Sequence, residues 1–444
     1  MLLEFSVSNF KSFKEKAVFS MIPAPKIKDL EYSIIKEKIA GKTHKVLSSS
    51  VIYGPNASGK TNIITALYLL RKIIIKKNIN EDEDNDLLMF YPLIPNKDNS
   101  SDVPICFSIK FIEKIDDKSM IFEYNLDINV GGFLDENFRK IDKKIINEEL
   151  LINNEYVFSR DKNKEIDVNY KYINKLFKTK FDSKIELDKN NLSDADLFLY
   201  IVGIQYTSKI SNAIYNWFFN KLDVIYHADQ VRLNRKSDVN STNKIIKPNE
   251  FYQYALRDFG FCGKEYIFKV DDDSTMLPAS VVRNINGKEL VIPSEAFESF
   301  GTVRFIDIFD IIIKVLESGK TLVVDEFDVS IHPMALLSII NLFHNDEINK
   351  NKAQLIFNTH NTIFLDKSVF RRDEIKFTEK TDDTSILYSL SDFKTSGRNS
   401  IRNTSDYQKG YFLGKYGAIK DVDFSDYVYN IINKLGDEVG DEKL

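Results

Sequence analysis

Apolar residues recur at every second position where the chain begins. In "LLEFSVSNF", Leu3, Phe5 and Val7 alternate with polar neighbours, the period of a half-buried strand. "AVFSMI", "VPICFSIKFI" and "IFEYNLDINV" repeat the pattern and predict an antiparallel sheet over the first part of the chain. Between about 171 and 260 the spacing becomes helical, as in "DLFLYIVGIQY" and "SNAIYNWFFNKL", which reads as a helical insertion. Strands return from 281: "SVVRNINGKELVI" carries Asn286-Gly287, suited to the positive φ angles of a two-residue hairpin turn. "VRFIDIFDIIIKVLESG" then sets Arg304, Asp307, Asp310, Lys314 and Glu317 on one charged stripe, an amphipathic helix that Gly319 stops. Two apolar runs, "TLVVDEF" and "AQLIFNT", flank the helix "PMALLSIINLF", with Pro333 in its first turn. Buried parallel strands alternating with helices predict an α/β core.

Chemistry enters with "VIYGPNASGKTN". Residues Gly54, Pro55, Asn56, Ala57, Ser58, Gly59, Lys60 and Thr61 fit the pattern G-x-x-x-x-G-K-[ST], between the predicted strand "SSVIY" and the helix "NIITALYLLRK". Backbone N–H groups of such a loop wrap phosphates, Lys60 reaches the outer ones, and Thr61, with Asn62 after it, offers a hydroxyl to Mg²⁺. Glycine fills only 17 of 444 positions, so chance alone would give the pattern in roughly one sequence per hundred. Opposite the hydroxyl the metal needs a carboxylate on a neighbouring strand, and "TLVVDE" supplies one: Asp325 for Mg²⁺ and Glu326 to polarise an attacking water. Two further pieces join in order: Ser299 and Gly301 of "ESFGTVRF" at a helix N-terminus, and His360 of "LIFNTHNT" at a strand end, placed to bond a γ-phosphate.

Composition narrows the partners. A formal net charge of −5 gives no overall basic field for nucleic acid. No apolar run approaches the ~18 residues of a membrane helix and no signal peptide opens the chain, so a cytoplasmic protein without membrane contact is expected. Cys106 and Cys262 match no metal spacing and are expected as packed thiols. The basic run 71–77 followed by acids at 80–86, and Lys394, Arg398 and Arg402, read as solvated charge.

"LEFSVSNFKSF", "YGPNASGKTN", "ESFGT", "LVVDEFDVSIHP" and "QLIFNTHNTIFLD" together resemble the ABC-type ATPase heads of the RecF, SMC and Rad50 kind. More narrowly, the chain is similar to the compact AAA-annotated ATPases of bacterial antiphage operons, relatives of the ATPase half of OLD-family proteins. The fold so implied is an ABC-type P-loop ATPase head, a mixed parallel core sheet plus an antiparallel β lobe, with a helical insertion. Residues 1–170 would form the N-terminal part of the head, 171–260 the insertion, 261–393 the C-terminal part and 394–444 a tail. The resemblance implies ATP and Mg²⁺ as cofactors, and puts Asn9, Lys11, Ser12 and Phe13 near the adenine and ribose. It makes Ser299, Gly301 and Thr302 a degenerate signature, His360 the switch histidine, and Asp328 to His332 the loop that meets an opposite protomer. A homo-dimer or higher homo-oligomer through the ATP sites follows. Three features depart from the pattern: the signature reads Ser-Phe-Gly-Thr, no metal-sensing glutamine is assignable, and no heptad repeat for a long coiled coil is sustained.

OLD-type proteins add a Toprim nuclease, for which the tail leaves little room. Asp421, Asp423 and Asp426 there read as surface acids, so any nuclease or toxin chemistry is expected on a separate effector protein. Two functions stay open: an ATP-dependent sensor and scaffold for such an effector in antiphage defence, or a RecF-like ATPase clamp on DNA. "RNTSDYQKGYFLGKYGAI" resembles the terminus of the defence-type ATPases and favours the first, with the helical insertion as the contact surface. Trp217, Phe218 and Phe219 are read as a buried helix face in preference to part of that contact.

Overall fold

In the computed structural model, the alternating segments at the start of the chain pair as one broad antiparallel sheet. The structure describes residues 1–444 except 26, 28, 81–92, 134–142, 164, 181–192, 206–207, 227–234, 237–244, 249, 271–274, 284–285, 394–405, 420–422, 426–427, 430 and 432–444. Strand β1 (Leu2–Ser8) pairs with β2 (Ala17–Ser20), a separate hairpin joins β3 (Ile34–Ile39) to β4 (Lys42–Leu47), and β5 (Ser49–Tyr53) runs toward helix α1 (Lys60–Lys76). Next come β6 (Ile105–Ile115), β7 (Lys118–Asn129), β8 (Lys144–Ile152), β9 (Glu155–Arg160) and β10 (Ile166–Val168), giving the seven-stranded order β10-β9-β8-β7-β6-β1-β2. The period of two decides its faces: Phe107, Ile109 and Phe111 of β6 are buried while Ser108 and Lys110 are half-buried.

The segment 171–260 is helical only in part. Helices α2 (Tyr170–Phe177), α3 (Phe198–Gln205) and α4 (Ser208–Asn216) lead through a π-helical turn at Trp217–Lys221 into strand β11 (Leu222–Ile225), and two short strands, β12 (Arg235–Lys236) and β13 (Ile245–Ile246), precede α5 (Glu250–Phe259). Strand β11 pairs in parallel with a strand near residue 321 and so belongs to the core sheet, against the reading of a wholly helical insertion. Its four residues are too few for periodicity to separate a strand from the end of a helix. Trp217 and Phe218 are fully buried and Phe219 is exposed, so the buried face accounts for two of the three rings.

Strands β14 (Glu265–Val270), β15 (Thr275–Arg283) and β16 (Glu289–Pro293) form an antiparallel sheet with β12 and β13. The last described pair between β15 and β16 is Arg283 with Glu289, and Gly287 between them takes φ 74°; residues 284–285, on which the expected two-residue turn depends, lie outside the described residues. After α6 (Ser294–Phe297) and α7 (Phe300–Ser318) come β17 (Thr321–Val324), α8 (Pro333–His344), β18 (Gln354–Asn358), β19 (Ile375–Thr381), β20 (Thr384–Ser389) and α9 (Tyr407–Phe412). Arg304, expected on the solvent stripe of α7, is buried instead, and Cys262 is exposed where a packed thiol was expected. Asp423 is exposed, while Asp421, Asp426, Lys394, Arg398, Arg402 and the acidic residues 81–86 lie outside the described residues.

The core sheet has the order β11-β17-β18-β5-β19-β20, parallel except for β20. Its strands alternate between two cores. Ile52, Val323 and Ile356 face α1 and the antiparallel lobe, while Val51, Tyr53, Leu322, Val324, Leu355 and Phe357 face the cluster that holds α7 and α8. Covering both faces explains why these strands read as unbroken apolar runs. Because the strands are parallel, the ends of β5, β17 and β18 that carry the loop at Gly54, the acids at Asp325 and Glu326, and His360 all emerge at one edge. Strand β17 is not β5's neighbour, since β18 lies between them and the acids reach the loop across it. Among the described residues no helix is long and apolar enough to cross a membrane.

Candidate functional site

Strand β5 is buried along its whole length, and the chain leaves it in a loop that α1 ends. Gly54 (φ 155°) and Gly59 (φ 109°) bracket that loop, and both lie where a side chain would not fit: a Cβ at Gly54 would stand 2.4 Å from Thr378 O, and one at Gly59 2.8 Å from Ser385 Oγ. Thr378 on β19 and Ser385 on β20 therefore back the loop, with Ser58 Oγ 2.6 Å from Thr378 Oγ1. Asn56 and Ala57, the latter at φ 63°, form the exposed tip, and Pro55 is half-buried. Lys60 is buried at the helix start and folds back, donating from Nζ to Gly54 O (2.7 Å) and Pro55 O (3.0 Å). Desolvation lowers its pKa to about 8 against the opposing pull of Asp325, Glu326 and Asp328, which places three acids around one lysine. A backbone cradle, a helix N-terminus and that lysine suit a phosphate chain.

Across the edge, Thr61 Oγ1 donates to Asp325 Oδ1 at 3.0 Å, joining positions 264 residues apart. Asp325 is fully buried and Glu326 half-buried. Glu326 takes a left-handed backbone (φ 55°), sparsely occupied by residues with a side chain. Asn358 holds both acids: its Nδ2 donates to Asp325 Oδ1 and its Oδ1 accepts the Glu326 N–H, each at 2.5 Å. His360 stands exposed at the rim, its pKa lowered first by desolvation and then by Lys60, with Asp328 and Asp325 pulling the other way. A hydroxyl and a carboxylate oxygen side by side next to a phosphate cradle are hard donors of the kind Mg²⁺ takes, so Thr61 and Asp325 fit that ion.

The remaining expected residues divide. Ser12 is tied to the site: Asn62 Nδ2 donates to its Oγ (2.7 Å) and the Ser385 N–H to its carbonyl (2.7 Å). Lys11 is half-buried, with burial lowering its pKa to about 8. Asn9 and Phe13 are buried, so neither side chain meets solvent: Asn9 donates to Val103 O and Pro104 O and accepts from Asn96 N and Asn99 Nδ2, and Phe13 packs beside Gly59. Ser299 caps α7, its Oγ accepting from the Thr302 N–H at 3.1 Å, and Gly301 passes so close to the loop after the acids that a Cβ would stand 2.6 Å from Ser330 O. Ser299 Oγ also lies 2.8 Å from Thr302 Oγ1, so the hydrogen bonds of this pair are local to the first turn of α7. His332, in that loop, caps α8 by accepting from the Met334 N–H.

Asn358, Thr378 and Ser385 escape sequence reading. Asn358 sits inside "LIFNTHNT", two residues before His360, and its one signal in the sequence is a polar residue ending an apolar run. Nothing in the sequence ties Thr378 or Ser385 to the loop glycines, because that pairing depends on the register of β19 and β20 against β5.

A family model described as "AAA domain, putative AbiEii toxin, Type IV TA system" matches residues 49–366, well over half of the chain. No curated protein matches it. Among solved structures, the SMC head domain from Thermotoga maritima is 12% identical, with 87% of this chain and 98% of that one covered and a TM-score of 0.34. An SMC head bound to the C-terminal winged-helix domain of ScpA is 13% identical, with 87% and 97% covered and a TM-score of 0.36. Superpositions that loose carry no function across.

Proposed function

The chain belongs to that AAA-domain family, and on that premise we propose that it binds and hydrolyses ATP at the edge where β5, β17 and β18 end. The observation that carries this reading is the Thr61–Asp325 contact, which joins the hydroxyl after the loop to a strand-end carboxylate 264 residues away. The loop from Gly54 to Thr61 holds the phosphates, Lys60 exchanges its carbonyl partners for phosphate oxygens, and Thr61 and Asp325 hold Mg²⁺. The ion, when bound, neutralises charge on the phosphates. Glu326 accepts a proton from the attacking water, and His360, exposed beside Lys60, faces the outer phosphate. Lys60→Ala should abolish ATP binding with the fold intact; unchanged affinity by calorimetry would reject the site. Glu326→Gln should keep ATP bound while hydrolysis falls about 10²–10⁴-fold, and normal turnover would reject the base.

Heads of this kind act, in our reading, in pairs, with Ser299 to Thr302 and the loop 328–332 completing the partner's site. Support comes from Ser299, Phe300 and Ser330 being exposed together on one surface, with Gly301 held against Ser330. The toxin and type IV toxin–antitoxin words in the family's description support a defence role in which ATP-driven pairing controls a separate toxic or nuclease effector. A RecF-like clamp on DNA would differ in one measurable respect, because DNA would raise its ATP turnover at moderate salt. Turnover indifferent to every form of DNA supports the effector reading, and stimulation sinks it in favour of the clamp.

A further inference from the structure

We propose that Asn358 is the positioning residue of this site: one side-chain amide sets the metal carboxylate and the water-polarising glutamate at once. The inference rests on the ATPase reading above. Asn358 ends β18, between β17 and the phosphate-loop strand, and is 1% exposed. Its Nδ2 donates to Asp325 Oδ1, the same oxygen that Thr61 reaches, while its Oδ1 accepts from the Glu326 N–H. An amide has one donor end and one acceptor end, and each is matched here to the group that needs it. The second bond falls on a residue with a left-handed backbone, Glu326 at φ 55°. Without it the left-handed conformation loses a hydrogen bond that offsets its strain, and the carboxylate that follows from that backbone changes direction. Groups that orient metal ligands and bases in this way typically matter about 10–100-fold when removed.

Asn358→Ala removes both ends, and Asn358→Asp keeps the acceptor while placing an anion against Asp325. Both variants should bind ATP in the absence of Mg²⁺ as the unaltered chain does and keep its KM, while kcat falls about 10–100-fold. Amide exchange supplies a readout independent of turnover. Exchange at Glu326 should accelerate in the alanine variant and stay slow in the aspartate variant, while exchange at Phe327, whose N–H bonds the Asn358 backbone carbonyl, stays unchanged in both. An alanine variant with unaltered kcat or unaltered Glu326 exchange overturns the proposal. So does loss of Mg²⁺-free ATP binding in both variants, which would make Asn358 part of the scaffold. If the unaltered chain shows no turnover that Lys60→Ala removes, the ATPase reading fails by itself, and Glu326 exchange still decides whether Asn358 holds that backbone.

Discussion

Single atoms decide whether the loop between β5 and α1 can exist. Gly54 faces a backbone carbonyl, Thr378 O, and a flexible neighbour could move aside where a sheet backbone does not. Gly54→Ala should therefore open the loop away from the β19–β20 hairpin, lowering stability by about 1–3 kcal/mol and weakening ATP binding with it. Thermal melting together with nucleotide titration checks this, and a variant that melts and binds as before would remove the close approach from the account of the site. At the same scale, the contiguous residues of the site were legible. The loop Gly54 to Thr61 and the pair Asp325-Glu326 carry their chemistry in adjacent letters, and the structure brings them together. Asn9 and Phe13, which only the resemblance placed near a nucleotide, face inward, and no spacing says which side of a tight turn a residue faces.

Elements were legible where their period was long and regular, as in β1, β6, β7 and α7. They were lost where a segment was short or its period changed. The π-helical turn at Trp217–Lys221 is such a place: three consecutive helical residues fan over about 200°, so they cannot share one face, and Phe219 is exposed while Trp217 and Phe218 are buried. Trp217 stacks on Phe111 of β6 with centroids 4.2 Å apart, and Phe218 meets the same ring edge-on at 5.8 Å, so this turn fastens β11 and the core sheet to the antiparallel lobe. Trp217→Ala should cost about 3–5 kcal/mol, whereas Phe219→Ala, exposed, should fall within about 0.5 kcal/mol. Denaturant unfolding separates them, and equal losses would mean that Phe219 also has a packed role. The strand that follows, Leu222–Ile225, shows the limit of pattern reading: its place beside β17 is fixed by a parallel register with Thr321–Val324 that local sequence does not express.

At the scale of the whole molecule, the core sheet keeps its chemistry at one edge and a buried ionisable cluster at the other. Where β5 begins, Ser49 Oγ lies 2.7 Å from His344 Nε2 and 3.2 Å from Glu374 Oε1, and Glu374 Oε2 accepts the Arg371 N–H at 2.7 Å. Burial alone accounts for the His344 pKa falling to about 4, and burial is the first cause of the Glu374 pKa rising to about 8. Near neutral pH burial therefore favours a neutral imidazole and a protonated carboxyl, with Ser49 Oγ lying between the two. The two groups act on stability in opposite senses. Below pH 6.5 the unfolded chain binds a proton at His344 that the folded one refuses, so stability drains as pH falls from 6.5 toward 4. Above pH 4.5 the unfolded chain releases a proton from Glu374 that the folded one keeps, so stability drains as pH rises from 4.5 through 8. Between pH 6.5 and 8 only the glutamate acts within this pair, with a slope no steeper than about 1.4 kcal/mol per pH unit. Glu374→Gln removes the titrating proton and keeps an amide in the place of the neutral carboxyl. The difference in melting temperature between pH 6.5 and pH 8.5 should then be smaller in the variant than in the unaltered chain, while ATP affinity, set at the far edge of the sheet, stays the same. Parallel melting profiles would show that Glu374 is already ionised in the fold, and a shifted ATP affinity would show that the two edges of the sheet are coupled.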